Sequence, residues 1–268
     1  SNLDGTDVEN LVSTGLETPS SIALGFVPVE PVDEETTGET TASQTWKLYW
    51  TGWGSDKIQR SNLDGSDVEN LVSTGLGVDA PEDIALDVAG GKMYWTHWDP
   101  TKIQRSNLDG SDVENLITTG LDALGGIALD VAGGKMYWTD QGTKKIQRSN
   151  LDGTDVEDLI TGLDFPYGIA LDVAGGKMYW TDQGTKKIQR SNLDGTDVED
   201  LITGLDFPYG IALDVAGGKM YWTDSHADKI QRSNLDGSDV EDLVTTGLKF
   251  PFGIALGFVP VGQSGDGG

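Results

Sequence analysis

From Gly168 to Tyr209 the chain alternates short apolar-rich segments with polar breaks. GIALD (168–172) is followed by VAGG, KMYWTD (177–182) by QGTK, KIQRSN (187–192) by LDGTD, and VEDLIT (198–203) by GLDFPY. Each segment has 5–6 residues, the usual length of a strand, and each break carries Gly, Asp or Pro. Lys177, Tyr179 and Thr181 alternate with Met178, Trp180 and Asp182, a period of two. A helix needs apolar positions at i, i+3, i+4 and i+7, and no window sustains them. The pattern predicts four antiparallel strands, A to D.

The unit then recurs. SNLDG begins at Ser1, Ser61, Ser106, Ser149, Ser191 and Ser233, at spacings of 60, 45, 43, 42 and 42. Residues 135–176 and 177–218 are identical at all 42 positions. A 42-residue all-β period is the signature of a four-stranded propeller blade. One blade buries too little surface to stand alone, so radial stacking must supply the core. Its largest buried groups would be the Tyr and Trp of strand B, worth about 2–3 kcal/mol each.

Tyr-Trp-Thr-Asp stands at 137–140, 179–182 and 221–224. The same slot reads Tyr49-Trp50-Thr51-Gly52 and Tyr94-Trp95-Thr96-His97. With GIALD before it and IQRSNLDG after it, the chain resembles the YWTD β-propellers, also called LDL-receptor class B repeats, over nearly its whole length. The resemblance implies a six-bladed, extracellular, non-enzymatic propeller with protein ligands at one face. It also implies a structural role for Tyr137, Trp138, Asp140, Tyr179, Trp180, Asp182, Tyr221, Trp222 and Asp224. Receptor members carry cysteine-rich modules beside the propeller; cysteine is absent here, so a receptor role does not carry over.

Strands A and D each appear six times, but YWT and KIQR only five. The expected fold is therefore all-β: a six-bladed propeller of four-stranded antiparallel blades, one blade composite and short of strands. In that blade, strand A near Ile254 would join strand D near Val8. The alternative is a five-bladed ring preceded by the tail of another module. It rests on IALGFVPV, which stands at both 22–29 and 254–261. The expected organisation is one propeller over 1–268: a half-blade at 1–24, a Thr/Glu/Pro-rich insertion at 25–45, five B-C-D-A repeats at 46–261, and a Gly-rich tail at 262–268. The start at Ser1, without a leader, reads as a mature or excised piece of a longer protein.

Composition removes several functions. The net charge is −26, which repels nucleic acid and anionic membrane surfaces. The absence of cysteine removes disulfides, thiol nucleophiles and thiolate metal sites. No catalytic set stands out, and the expectation is no enzyme and no cofactor. Asp152, Asp155 and Glu157 echo part of a calcium loop, but the spacing fails, and Asp-Gly suits a C–D turn; weak surface calcium binding is the residual option. Repetition of the YWTD Asp and the IQR Arg predicts structural polar pairing within or between blades. His97 and His226 read as solvated loop residues, since two separated histidines make a poor metal site.

Strand direction divides the loops between two ends. The A–B and C–D turns are nearly copied, whereas the other end varies. B–C loops bring Trp53, His97, Trp98, Gln141, Gln183 and His226 there. D–A loops bring Tyr167, Tyr209 and Phe252, the first two in Phe-Pro-Tyr and the third in Phe-Pro-Phe. This aromatic face is the candidate ligand surface, for a protein or a glycan; the competing role of the rings is to cap the core. The main functional expectation is a structural or adhesive module that binds other proteins, including copies of itself, head to tail or in fibres. Thr36, Thr37, Thr40, Thr41 and Thr45, in the insertion, are candidates for hydroxyl-linked sugars; a bare spacer is the other reading.

Overall fold

The computed structural model describes residues 19–28, 44–52, 55–73 and 81–257. Trp53 and Thr36, Thr37, Thr40 and Thr41 lie outside them, as do the side chain of Thr45 and the proposed strand near Val8. The described residues form five four-stranded antiparallel sheets. Blade one contains β1 (Pro19–Pro28), β2 (Gln44–Gly52), β3 (Lys57–Asn62) and β4 (Glu69–Val72). Blade two contains β5 (Pro81–Asp87), β6 (Lys92–His97), β7 (Lys102–Asn107) and β8 (Glu114–Ile117). Blade three contains β9 (Leu124–Asp130), β10 (Lys135–Asp140), β11 (Lys145–Asn150) and β12 (Glu157–Thr161). Blade four contains β13 (Pro166–Asp172), β14 (Lys177–Asp182), β15 (Lys187–Asn192) and β16 (Glu199–Thr203). Blade five contains β17 (Pro208–Asp214), β18 (Lys219–Asp224), β19 (Lys229–Asn234) and β20 (Glu241–Val244).

The expectation of six four-stranded blades is thus corrected to five, the number of the alternative. The physical reason is the strand inventory: only five copies of YWT and KIQR exist to build second and third strands. The sixth position of the ring still holds chain. Residues 251–257 run past β17 and reach β1 without joining a sheet. A Cβ on Gly253 would lie 2.7 Å from the Ser20 carbonyl oxygen, so the two ends of the described ring touch.

The turns follow the local chemistry. After strand A of blade four, Asp172 Oδ1 accepts from the Gly175 N–H at 2.7 Å, and Gly176 takes φ +68° to complete the hairpin. In the C–D turn Asp152 Oδ1 accepts from the N–H and hydroxyl of Thr154, at 3.0 and 2.6 Å. This is the turn reading of the LDG[ST]D segment, and the carboxylate is used by its own loop.

Strand B lies inside each blade, and its two faces serve two neighbours. Trp180 packs with Tyr137, Ile146 and Ile160 of blade three. Tyr179 packs with Ile211, Met220 and Trp222 of blade five. Alternation in a strand B therefore means one apolar face toward each adjacent blade, and both are buried.

Two polar bridges repeat along with this packing. Thr181 Oγ1 accepts from the Gly168 N–H of its own blade at 2.9 Å and donates to the Tyr209 carbonyl of the next at 2.7 Å. Thr51, Thr96, Thr139 and Thr223 occupy the same role. Arg190 Nε donates to Glu199 at 2.8 Å, and its Nη1 donates to the Leu235 carbonyl of blade five at 3.0 Å. Its guanidinium lies 5.7 Å from the Tyr179 ring centroid. Each of blades one to four thus reaches forward to its successor at both ends of its strands, and Thr223 of blade five reaches the Phe252 carbonyl.

The YWTD Asp and the IQR Arg do pair structurally, though with different partners. Their strands place them at opposite ends of one hairpin, with Asp182 opposite Lys187 and Arg190 opposite Tyr179. Asp182 accepts backbone N–H bonds from Asp164 at 3.0 Å and Thr185 at 2.9 Å, clamping the D–A loop to the B–C loop. Those are the loops of the variable face.

Candidate ligand-binding bowl

Strand A of each of blades one to four packs on strand A of the next, around the axis, and residues 252–254 lie between β17 and β1. The residue two before the Ile of each inner segment sits at the mouth of the axis on the variable face. Around the ring this position reads Ser20, Glu82, Gly125, Tyr167, Tyr209 and Phe252. Three aromatic rings crowd one side: Tyr167 and Tyr209 have centroids 3.7 Å apart, and Tyr209 and Phe252 4.7 Å. On the other side Ser20, Glu82 and Gly125 leave room. The result is a bowl of about 520 Å³.

The walls combine the two loop families, as strand direction requires. Phe165, Tyr167, Tyr209 and Phe252 come from D–A segments, and Trp98, Gln141 and Gln183 from B–C segments. Phe165, Trp98 and Phe252 keep 50%, 39% and 38% of their surface exposed, whereas Tyr167 is buried. The rings therefore divide between the two roles considered: Tyr167 caps the core, and the others present apolar surface to solvent. The Nε2 groups of Gln141 and Gln183 are buried with no partner.

Glu82 lies at the base and is 4% exposed. Its Oε1 accepts from the Tyr209 hydroxyl at 2.8 Å, and the Tyr167 hydroxyl is in close contact with that of Tyr209. Burial pushes the Glu82 carboxyl up to about 7; the Tyr209 bond pulls it down and neighbouring Asp83 pushes it up further. Burial also raises Asp83 above its ordinary range, against hydrogen bonds from Ser21, Ile127 and Ile84. The Ile127 N–H donates at 2.7 Å and the Ile84 N–H at 2.9 Å. Tyr209 is raised well above 10, by burial first and by Glu82 second. Glu82 and Asp83 also line a small cavity of about 40 Å³ together with Ser20, Tyr167 and Tyr209.

The structure brings Trp98, Tyr167, Tyr209 and Phe252 together at this bowl. His226 is exposed in a B–C loop, as expected, stacking on Phe207 with centroids 4.4 Å apart. His97 is not a solvated loop residue and does not reach the face. It is the last residue of β6 and fully buried, where its Nε2 accepts from Trp95 Nε1 at 2.6 Å and lies 2.5 Å from Gln104 Oε1. In blade four Trp180 donates directly to Gln189 instead, at 3.2 Å. His97 is thus an insert in that pair, forced inward because its slot is the buried end of strand B.

Glu82 and Asp83 were missed by sequence reasoning. The signal was present: the two residues before Ile-Ala-Leu read Tyr-Gly in blades four and five, but Glu-Asp in blade two. No group of three or more metal-ligating side chains occurs among the described residues.

The sequence profile of the low-density lipoprotein receptor repeat class B matches residues 47–88, 91–131, 134–173, 176–215 and 218–256. None of the curated proteins matches the chain. Among solved structures, the crystal structure of a nidogen/laminin complex is similar with a TM-score of 0.72 and 25% identity, over 87% of this chain and 97% of that one. A catalytically inactive virginiamycin B lyase from Staphylococcus aureus, with quinupristin, gives a TM-score of 0.66 at 18% identity, over 93% and 92% of the two chains. A putative TolB from Agrobacterium tumefaciens gives 0.58 at 17%, over 74% and 76%. The last two likenesses concern the fold alone. With five consecutive repeats matched, one to each boundary of the ring, this chain belongs to the family of low-density lipoprotein receptor class B, or YWTD, repeat propellers.

Proposed function

We propose that this protein is a non-enzymatic extracellular module that binds a partner protein through the bowl face. The observation that carries this reading is the bowl itself: exposed aromatic Phe165, Trp98 and Phe252 around an apolar hollow, on a chain of net charge −26. Exposed apolar surface collected in one concavity, with a few polar groups inside, is the usual form of a recognition site. The family supports an extracellular, protein-binding role, and no described helix is long and apolar enough to cross a membrane. The similar nidogen structure is that of a complex with laminin.

The test is selection of random peptides on the immobilised protein, followed by binding to Trp98→Ala and Phe252→Ala variants. Selected peptides should bind the variants at least about tenfold more weakly, with melting temperatures unchanged. Equal binding to both variants refutes the bowl as the contact face. Trp53 and His226 extend the proposed face, and a glycan is the other ligand class it would serve.

A second reading, a structural module joined end to end, is favoured by one observation. β1 contains residues 22–28 of the octapeptide IALGFVPV (22–29), which recurs at 254–261, so β2 has two equivalent claimants for its edge. Light scattering across a concentration series separates the two readings: growth in mass supports assembly, and a constant monomer mass refutes it. Hydroxyl-linked glycosylation at Thr36, Thr37, Thr40, Thr41 and Thr45 belongs with an extracellular setting, and intact-mass measurement of the secreted chain tests it.

A further inference from the structure

We propose that the bowl is built for a lysine or arginine side chain of a partner polypeptide, its charge against Glu82 and its stem among Tyr167, Tyr209 and Phe252. This rests on the partner-binding reading above and names the chemistry of what enters.

Three observations converge on a cation within a peptide. The first is an uncompensated pair of acids. Glu82 accepts one bond, from a neutral phenol, and Asp83 accepts from a hydroxyl and two amides. The groups that act on the two carboxyls are Tyr209, Ser21, the amides of Ile84 and Ile127, and Asp83 on Glu82, with no cation among them. Buried carboxylates are normally matched by a cation, so the base of the bowl lacks the group that electrostatics asks for.

The second is the wall. Tyr167, Tyr209 and Phe252 surround the approach to Glu82, and aromatic rings attract ammonium and guanidinium groups while packing against their methylene stems. An acidic ligand is excluded by the same carboxylates. A purely apolar side chain would leave the buried Glu82 without a charged partner.

The third observation is independent of the acids. Gln141 and Gln183 stand on the wall with buried, unpartnered Nε2 donors. Donors of this kind call for acceptor oxygens, and when either side chain turns its amide into the bowl, the peptide carbonyls flanking a basic side chain supply them. A free amine has no such oxygens. The occupant is therefore a basic residue within a chain, steered to the bowl by the −26 net charge.

The experiment uses the whole chain and four small probes: the Nα-acetyl N-methylamides of lysine, arginine and norleucine, and butylammonium. Binding is followed by calorimetry and by tryptophan fluorescence. The lysine and arginine probes should bind at least about tenfold tighter than norleucine, their uncharged counterpart, and tighter than butylammonium. Glu82→Gln should abolish the preference while norleucine still binds, and it should not lower the melting temperature, since it removes a buried ionisable group. Ser20→Lys, which places a cation beside Glu82, should block the cationic probes. The proposal is overturned if norleucine binds as well as lysine, if the preference survives in Glu82→Gln, or if neither cationic probe binds at tens of millimolar. Selected peptides that bind the bowl without lysine or arginine would overturn the cation and leave the partner-binding face standing. Peptides insensitive to Trp98→Ala and Phe252→Ala would remove that face too.

Discussion

Replacing Thr181 by valine keeps the shape of the side chain and deletes one hydroxyl. That hydroxyl is fully buried and makes two bonds, from the Gly168 N–H at 2.9 Å and to the Tyr209 carbonyl at 2.7 Å. The substitution leaves a donor in blade four and an acceptor in blade five without their partner. Each unsatisfied buried group costs about 1–3 kcal/mol, so the pair should cost about 3 kcal/mol in total. For a domain of this size about 1 kcal/mol lowers the melting temperature by roughly 2–4 °C, which predicts a fall of roughly 6–12 °C. Thr181→Ser is the control: it keeps both bonds and loses one methyl, worth about 1 kcal/mol. Circular dichroism melts of the three proteins in one buffer decide the matter. The reasoning fails if the valine variant melts within 2 °C of the parent, taken as about the resolution of the comparison, or above the serine variant. The same order should hold at Thr139, because the bridge there is the same.

Three further outcomes follow from the geometry. Glu82 is held near 7 in the fold against an ordinary 4.5, so the native state keeps a proton that the unfolded chain releases. Stability should therefore fall as pH rises from 4.5 to 7, by about 3 kcal/mol from this group, and Asp83 adds to it in the same direction; Glu82→Gln should flatten denaturation midpoints across that window, and an unchanged profile would contradict the burial argument. Gly168→Ala puts a Cβ 2.5 Å from the Tyr209 carbonyl oxygen, a backbone atom, and should destabilise by more than about 3 kcal/mol in urea titration. Gly176→Ala, at φ +68° with open space around it, should cost only about 1–2 kcal/mol, and the reverse order would show that the blades do not pack as closely as described. Arg190→Ala should cost about 1–2 kcal/mol through the lost Tyr179 and Leu235 contacts, whereas Lys186→Ala, in an exposed pair with Asp206, should stay within about 0.5 kcal/mol.

The repeat period, the strand segments and the face on which the loops vary could all be read from residues. Turn chemistry and alternation are local, and near-identical copies made the strand boundaries plain. Periodicity does not say which of four similar strands is innermost. Until strand A is known to line the axis, Glu82 looks like one more polar residue after a proline. His97 failed for a related reason: one residue separates the buried end of β6 from its loop, and pattern does not fix an end that closely. The YWTD Asp and the IQR Arg recur together in three of the blades, yet pairing register holds them at opposite ends of a hairpin. Recurrence identified them as structural, and only geometry could assign their partners.

The meeting of Gly253 with Ser20 makes this ring a split washer. At every other boundary the polypeptide itself crosses from one wedge to the next; here two distant parts of the chain only lie side by side. Breathing should start at that gap, and amide exchange along β1 should outpace that along β13. The hollow at the axis straddles the gap, with Ser20 on one lip and Phe252 on the other. Whatever occupies it works as a clasp, so occupancy and the integrity of the ring rise and fall together.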